Sequence, residues 1–339
     1  MKRVTPKRWI SVLLSLSILL IVVALVCISF GASPIPIRQV VGALRDPERL
    51  GKVGTILWEI RLPRVLMGAI VGAALASAGV VFQALLRNPL ADPYVLGVSG
   101  GGAVGAIVAM MLGTSMRFLG FSTITVFAFS GSLLTILLVY AIGQSKGRIV
   151  THSMLLAGVI VNSLFSAIIM FLTATMDFTK VHGVIFWLMG SLGSADPSIL
   201  TPLFLYVLLG IGILFYIARD LNLLTLGEEP ASHLGVNVER TKRIAFVGAS
   251  LVTGTVVSVS GLIGFVGLIV PHAMRMLIGP DHRLLLPASA LCGAIFLMIS
   301  DTIARTLIAP TELPVGVITA LCGGPFFIVL MRSKLKGLQ

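Results

Sequence analysis

Asp301 and Arg305 stand four residues apart in a stretch that otherwise reads as membrane-spanning. Four residues is just over one helical turn, so carboxylate and guanidinium share a face and can pair. A lone charge at the centre of a spanning helix costs about 2.5–3.5 kcal/mol on insertion scales, so pairing is the expected chemistry. Its plain form is a structural ion pair near the outer boundary; its functional form gives Arg305 an outward contact. His272 and Arg275 follow Pro271 near the inner boundary. Arg275 is expected to snorkel to the headgroups and His272 to be structural. The chain of intramembrane acids that ion-coupled carriers often use is missing. Cys27, Cys292 and Cys322 lie in apolar runs without metal-ligand spacing, and read as packing residues. Gly100-Gly101-Gly102 has only a superficial likeness to a phosphate loop, because no Lys-Ser or Lys-Thr follows it. No GxxxxGK[ST] pattern occurs in the chain. If ATP drives its function, another chain must bind it; no cofactor and no metal is expected in this one.

The elements that position these residues are membrane helices. The 339 residues are 57% hydrophobic and only 11% charged, against about 25% charged in a soluble domain. Uncharged runs cover residues 9–30, 65–86, 95–112, 118–142, 153–173, 199–218, 244–270, 284–300 and 313–331. Most approach the roughly 20 residues that cross a hydrocarbon core. The run 244–270 is too long for one helix and is broken at Ser258-Val259-Ser260-Gly261, which predicts one span and a shorter returning helix. The fold class is therefore an all-α polytopic membrane protein of about ten helices, one domain over residues 1–339. Strand-type alternation is absent, which argues against a β-barrel. The first run exceeds the 7–15 residues of a signal-peptide core and reads as an uncleaved span.

The net charge of +12 follows the same plan. In a soluble protein it would suggest nucleic acid; here basic residues flank the spans and no nucleic acid is expected. An even number of spans puts both ends on one side, and Lys2, Arg3, Lys7, Arg8, Arg332, Lys334 and Lys336 put that side in the cytoplasm. About 16 of the 25 Lys and Arg then fall inside and about 9 outside. The outside segment 31–64 runs against the trend, with Arg38, Arg45, Arg49, Lys52, Arg61 and Arg64.

Two polar stretches interrupt the apolar pattern on the inside. Arg87-Asn88-Pro89-Leu90-Ala91-Asp92-Pro93 is a tight hinge between two spans: its prolines end helices and its Asn side chain can serve nearby backbone groups. Residues 219–243 form the longest inside loop. Glycines divide it; Glu228-Glu229-Pro230 suits a helix start and Gly235 a helix stop. Two or more short helices are expected there, ordered and outside the bilayer, as a surface for a cytoplasmic partner. Gly68 and Gly72, and Gly97, Gly101 and Gly105, repeat at four-residue spacing, which lets helix backbones approach closely. Met154, Met170 and Met176 are candidates for lining a substrate path.

Taken together, Arg61-Leu62-Pro63-Arg64, Gln83, the hinge 87–93, Leu96-Gly97-Val98-Ser99-Gly100, Leu156-Ala157-Gly158, Trp187-Leu188-Met189-Gly190-Ser191, the stretch 226–235, Gly261 through His272, Asp281-His282-Arg283, Asp301 through Arg305 and Glu312-Leu313-Pro314-Val315-Gly316 span nearly the whole chain in order. They resemble the permease subunits of binding-protein-dependent ABC importers for iron-siderophores, haem and vitamin B12. The triple glycine at 100–102 is richer than that family's pattern. The resemblance implies a type II importer permease: a homodimer in the cytoplasmic (inner) membrane of a prokaryote, in contact with membrane lipid. Two ATP-binding cassette subunits dock inside and a substrate-binding protein docks outside. It implies that Asn88 and Leu90 belong to the cytoplasmic gate. Leu226, Gly227, Glu228, Glu229, Ala231, Leu234 and Gly235 would couple to the ATPase, and Arg61, Arg64 and Arg305 would meet acids on the binding protein. The chain itself would catalyse nothing. The expected cargo is an iron chelate (siderophore or haem), with cobalamin as the alternative. An ion-coupled secondary carrier or a polytopic membrane enzyme would need intramembrane acid pairs or a clustered polar site, and neither pattern is present.

Overall fold

The computed structural model describes residues 5–31, 35–45, 51–113, 116–118, 120–145, 147–193 and 196–336. Lys2, Arg3 and Arg49, used above in the charge argument, lie outside the described residues, as do the side chains of Arg45, Lys52, Lys334 and Lys336.

Helix α1 (Pro6–Ser29) starts where Thr5 caps it and Pro6 fits its first turn. Helices α2 (Ile37–Arg45) and α3 (Lys52–Thr55) follow, and a wide π turn over Ile56–Arg61 leads into α4 (Leu62–Leu85). The hinge and a 3-10 turn at Pro93–Leu96 give way to α5 (Val98–Leu112). A small hairpin, β1 (Arg117–Phe118) with β2 (Phe121–Ser122), precedes α6 (Thr123–Gly143). This trims the run expected from residue 118: Gly120 takes φ +85 to turn the chain, and Ser122 caps the helix. A second hairpin, β3 (Gln144–Ser145) with β4 (Arg148–Ile149), joins α6 to α7 (Thr151–Thr175). Then come α8 (Phe178–Met189), α9 (Pro197–Tyr216), the short α10 (Ala218–Leu224) and α11 (Glu228–His233), α12 (Val238–Ser260), α13 (Val266–Ile278), α14 (His282–Thr306) and α15 (Val315–Lys336).

Seven helices are long and apolar enough to cross a membrane: α1, α4 with its preceding turns, α6, α7, α9, α12 and α14. The shorter apolar α5, α13 and α15 bring the crossings to ten among the described residues. Helix α8 does not cross: near its start Lys180 donates to the Met111 carbonyl at the end of α5, and just past its end the Ser191 N–H donates to the Ser260 carbonyl at the end of α12, both on the side away from the hinge. The break expected after residue 258 falls at Gly261–Phe265, and α13 is the shorter returning helix. With ten crossings both chain ends share one face, called here the terminal face; the opposite one is the far face.

Helix α4 lies at the centre, with residues buried all around it from Pro63 to Leu85. An all-round apolar helix of this kind belongs in a core. It meets α14 where Gly72 faces Gly293, and α13 where Gly79 faces Gly267. A Cβ at Gly72 or Gly79 would run into the facing backbone carbonyl. The expected Gly68/Gly72 spacing thus marks a real backbone-to-backbone contact. Gly101 packs in the same way on Gly131 and Thr135 of α6, so the triple glycine is a packing surface, not a flexible one. Met154, expected as path lining, is instead buried and packs on Gly143, while Met170 is exposed.

Because the obstacle is backbone, Gly79→Leu cannot be relieved by a side-chain shift and should destabilise the protein by about 3 kcal/mol or more. Gly212→Ala, where an added Cβ meets open space, should leave stability unchanged. Thermal unfolding of the two purified variants in detergent checks the contrast.

Candidate functional site

The hinge sits on the terminal face. Leu86 and Arg87 close α4, and Arg87 holds φ +47, an uncommon conformation for a residue with a side chain. The Asn88 side-chain oxygen accepts from the Leu90 N–H at 2.9 Å, as expected for an Asx turn. Asn88 and Leu90 are both exposed. Beyond them the chain turns inward. The Asp92 carboxylate accepts from the Tyr94 N–H at 2.8 Å. The Tyr94 hydroxyl donates to the Ile263 carbonyl and accepts from the Ile263 N–H, both at 2.8 Å. The hinge is thereby fixed to the turn between α12 and α13.

The expected short helices of the longest loop are α10 and α11. Gly227 has φ +129 and Gly235 φ +86, so both ends of α11 use conformations that favour glycine. Ala231 is buried on the inner side of α11. Leu226 and Leu234 are 65% and 60% exposed on a segment that lies outside the apolar spans. Glu229 and Gly235 are exposed beside them. Of the seven expected coupling residues, these four form the outer surface, Gly227 turns the chain, Ala231 anchors it, and Glu228 faces back into the protein.

What Glu228 faces is a charge cluster that the sequence reading did not single out. Lys242, in the first turns of α12, has a side chain only 3% exposed. Its ammonium lies 2.8 Å from Glu228 and 3.3 Å from Glu239, and donates to the Ile149 carbonyl at 2.7 Å. All three of its donors are thus used. Glu239 also accepts from the Ile149 N–H at 2.8 Å, and Glu228 pairs with Arg87 of the hinge at 3.3 Å. Hinge, β3–β4 hairpin, α11 and α12 therefore meet around one ammonium, beside a cavity of about 500 Å³. The signal available in the sequence was Glu239 three residues before Lys242, a helical pair.

At the far face, Arg61, Arg64 and Arg305 are only 5%, 7% and 6% exposed. Arg61 donates to the Ile28 and Ser29 carbonyls at 2.9 Å. Arg305 donates to the Cys27 carbonyl and lies 3.6 Å from Asp301, the expected i,i+4 pair. Arg64 binds Asp301 through Nε and Nη2 at 3.0–3.1 Å, and Glu312 at 2.7 Å. Cationic side chains on the last carbonyls of α1 satisfy groups that a helix end leaves without partners. Within the chain these arginines form an internal network joining α1, α4, α14 and the 312 loop. Near the terminal face, Arg275 departs from the expected snorkelling: its guanidinium donates to Gln83 of α4 at 2.8 Å.

Removing one partner of a buried pair leaves the other charge unpaired, at a cost of about 3–5 kcal/mol. Arg64→Met should therefore lower stability on that scale, and Arg64→Lys, which keeps a cation beside Asp301, should lose less. Thermal unfolding reads both; an Arg64→Met protein as stable as wild type would return the guanidinium to the outer surface.

The FecCD transport family matches residues 19–333. The cobalamin import system permease of Halobacterium salinarum is 46% identical over 279 residues, covering 82% of this chain and 74% of that protein. The hemin transport system permease of Yersinia pestis is 41% identical over 335 residues, covering 98% and 97%. The molybdate import system permease of Haemophilus influenzae is 35% identical over 338 residues, covering 98% of each chain. Among solved structures, a metal-chelate type ABC transporter in an inward-facing conformation superposes with a TM-score of 0.82 at 33% identity, over 96% of this chain and 99% of that one. With the ten crossings and the terminal-face cluster, these likenesses lead to one assignment: the chain belongs to the FecCD transport family.

Proposed function

We propose that the chain is the membrane permease of an ABC importer for a metal chelate, working as a homodimer with two ATPase subunits and a substrate-binding protein. The observation that carries this reading is the ordered α10–α11 segment. It presents Leu226 and Leu234 to the aqueous phase while its inner acid, Glu228, is held by Lys242 and Arg87. Exposed apolar residues on an ordered polar loop suit a protein partner. A partner that moves α11 pulls on Glu228, and through it on Lys242, the hairpin and the hinge bearing Asn88 and Leu90. That is the mechanical link an ATP-driven gate requires. The terminal face is then cytoplasmic, in line with the basic residues at both ends, and the protein lies in the cytoplasmic membrane of a prokaryote.

The binding protein would dock on the far face. Arg61, Arg64 and Arg305 serve it from beneath, by holding the ends of α1, α4 and α14; Glu312, whose side chain is 52% exposed, stands above Arg64. The cargo reading is an iron chelate, siderophore or haem, supported by the hemin permease relative. A cobalamin is the second reading, favoured by 46% identity to the cobalamin permease over 279 residues.

Purified alone, the chain should hydrolyse no ATP; reconstituted in vesicles with its ATPase and a loaded binding protein, it should take up the chelate. Hydrolysis by the isolated permease, or uptake driven by an ion gradient without the ATPase, would overturn the reading. Within the assembled importer, Lys242→Met should cut uptake by about tenfold, the scale of a coupling free energy of about 1–3 kcal/mol. ATP hydrolysis should continue, and Lys242→Arg should restore part of the uptake.

A further inference from the structure

Helices α1 and α9 stand on either side of a groove floored by α4 and α14. Two cavities lie along it. At the terminal face, about 780 Å³ is lined by Trp9, Ile10, Gly212, Tyr216, Arg219 and Arg283. Deeper in the same groove, about 630 Å³ is lined by apolar groups, among them Leu13, Leu20, Ala69, Phe204, Ile211 and Ala290. The lining residues repeat every three or four positions on each helix: 9, 13, 17 and 20 on α1, 212, 208 and 204 on α9, 283, 287, 290 and 294 on α14. Each series is one face, so the two cavities follow one another along the same groove. From Arg283 to Ala294 the rise is roughly 16 Å at 1.5 Å per residue. That is about half of a hydrocarbon core roughly 30 Å thick, and on α9 the lining runs roughly 24 Å, from Tyr216 to Leu200, so the groove reaches from the terminal face past mid-membrane.

The chemistry changes along that length. The deep part is nearly all hydrocarbon, Ser17 and Thr201 excepted. The mouth carries two guanidinium groups and the amphipathic rings of Trp9 and Tyr216, residue types suited to the headgroup level. Arg219 is exposed and makes no ion pair among the described residues. Arg283 pairs with Asp281 at 2.6 Å and is still 57% exposed. Trp9 is held in place by donating from its ring nitrogen to the Arg283 carbonyl at 3.3 Å. Lys7 and Arg8 add positive charge at the start of α1. The other nearby acid, Asp220, accepts from Thr241 at 3.3 Å, away from the mouth.

We propose that this groove is a binding site for one anionic diacyl phospholipid of the terminal-face leaflet, its phosphate at Arg219 and Arg283 and an acyl chain between α1 and α9. The complementarity is specific: positive charge only at the mouth and hydrocarbon beyond it.

The test is native mass spectrometry of the full chain purified in non-ionic detergent, titrated with phosphatidylglycerol or with phosphatidylcholine of the same acyl chains. The wild type should hold one phosphatidylglycerol per chain with a preference of about fivefold or more, the scale of one basic residue near an anionic headgroup. Arg219→Gln should erase most of that preference by weakening phosphatidylglycerol more than phosphatidylcholine. Gly212→Leu, which adds a side chain where nothing lies within 4 Å of a Cβ, should weaken both lipids by filling the groove. Equal binding of the two lipids by the wild type, or a single-chain fatty acid held as tightly as phosphatidylglycerol, overturns the proposal. So does wild-type behaviour in both variants.

Discussion

The contact on which the rest depends is the meeting of α4 with α13 and α14, backbone against backbone. Between helices in lipid there is little hydrophobic drive, because acyl chains are as apolar as leucine; close van der Waals packing does more of the work. Gly72 against Gly293 and Gly79 against Gly267 provide that closeness. Once α4 is seated, its two ends are positioned as well. One end carries Arg64 to Asp301, and the other delivers the hinge to the terminal face beside α11.

The polar groups at the two faces are partnered in different ways. At the far face, charge is enclosed: Asp301 is reached by Arg64 and Arg305, and Arg61 and Arg305 occupy the last carbonyls of α1. Breaking any of these contacts would leave a helix end or a carboxylate buried without its partner. At the terminal face the pairs are graded. Lys242 is enclosed, Glu228 is part exposed, and Arg87 is more exposed still. Such a series can rearrange stepwise, with water taking over the outermost pair first. The difference suits a protein that is braced on one side and works on the other.

Much of this was legible in the sequence because the bilayer is a strict reader. Length and apolarity located the crossings; Pro89 and Pro93 located the hinge; Gly235 announced its positive φ; Asp301 and Arg305 announced their pairing by spacing. The internal contacts of the far-face arginines were less legible. Arg61 and Arg305 reach the carbonyls of Cys27, Ile28 and Ser29, backbone groups without a sequence signature, and Arg64 reaches Asp301 and Glu312 only through tertiary structure. Lys242 was overlooked for a similar reason. Of its three contacts only Glu239 is close in the chain; Glu228 and Ile149 arrive through tertiary structure. Arg275 looked like a snorkelling residue, and its bond to Gln83 depends on α13 lying against α4.

Tyr94 adds a mechanical consequence. A hydroxyl that gives to and takes from the same residue acts as a two-pronged clip, and it pins the chain to the turn at Ile263. The connection between α4 and α5 is thereby divided into an outer part, where Arg87, Asn88 and Leu90 are exposed, and an inner part fastened at Asp92 and Tyr94. A pull on Arg87 would meet the clip before it reached α5, as a latch meets its pin.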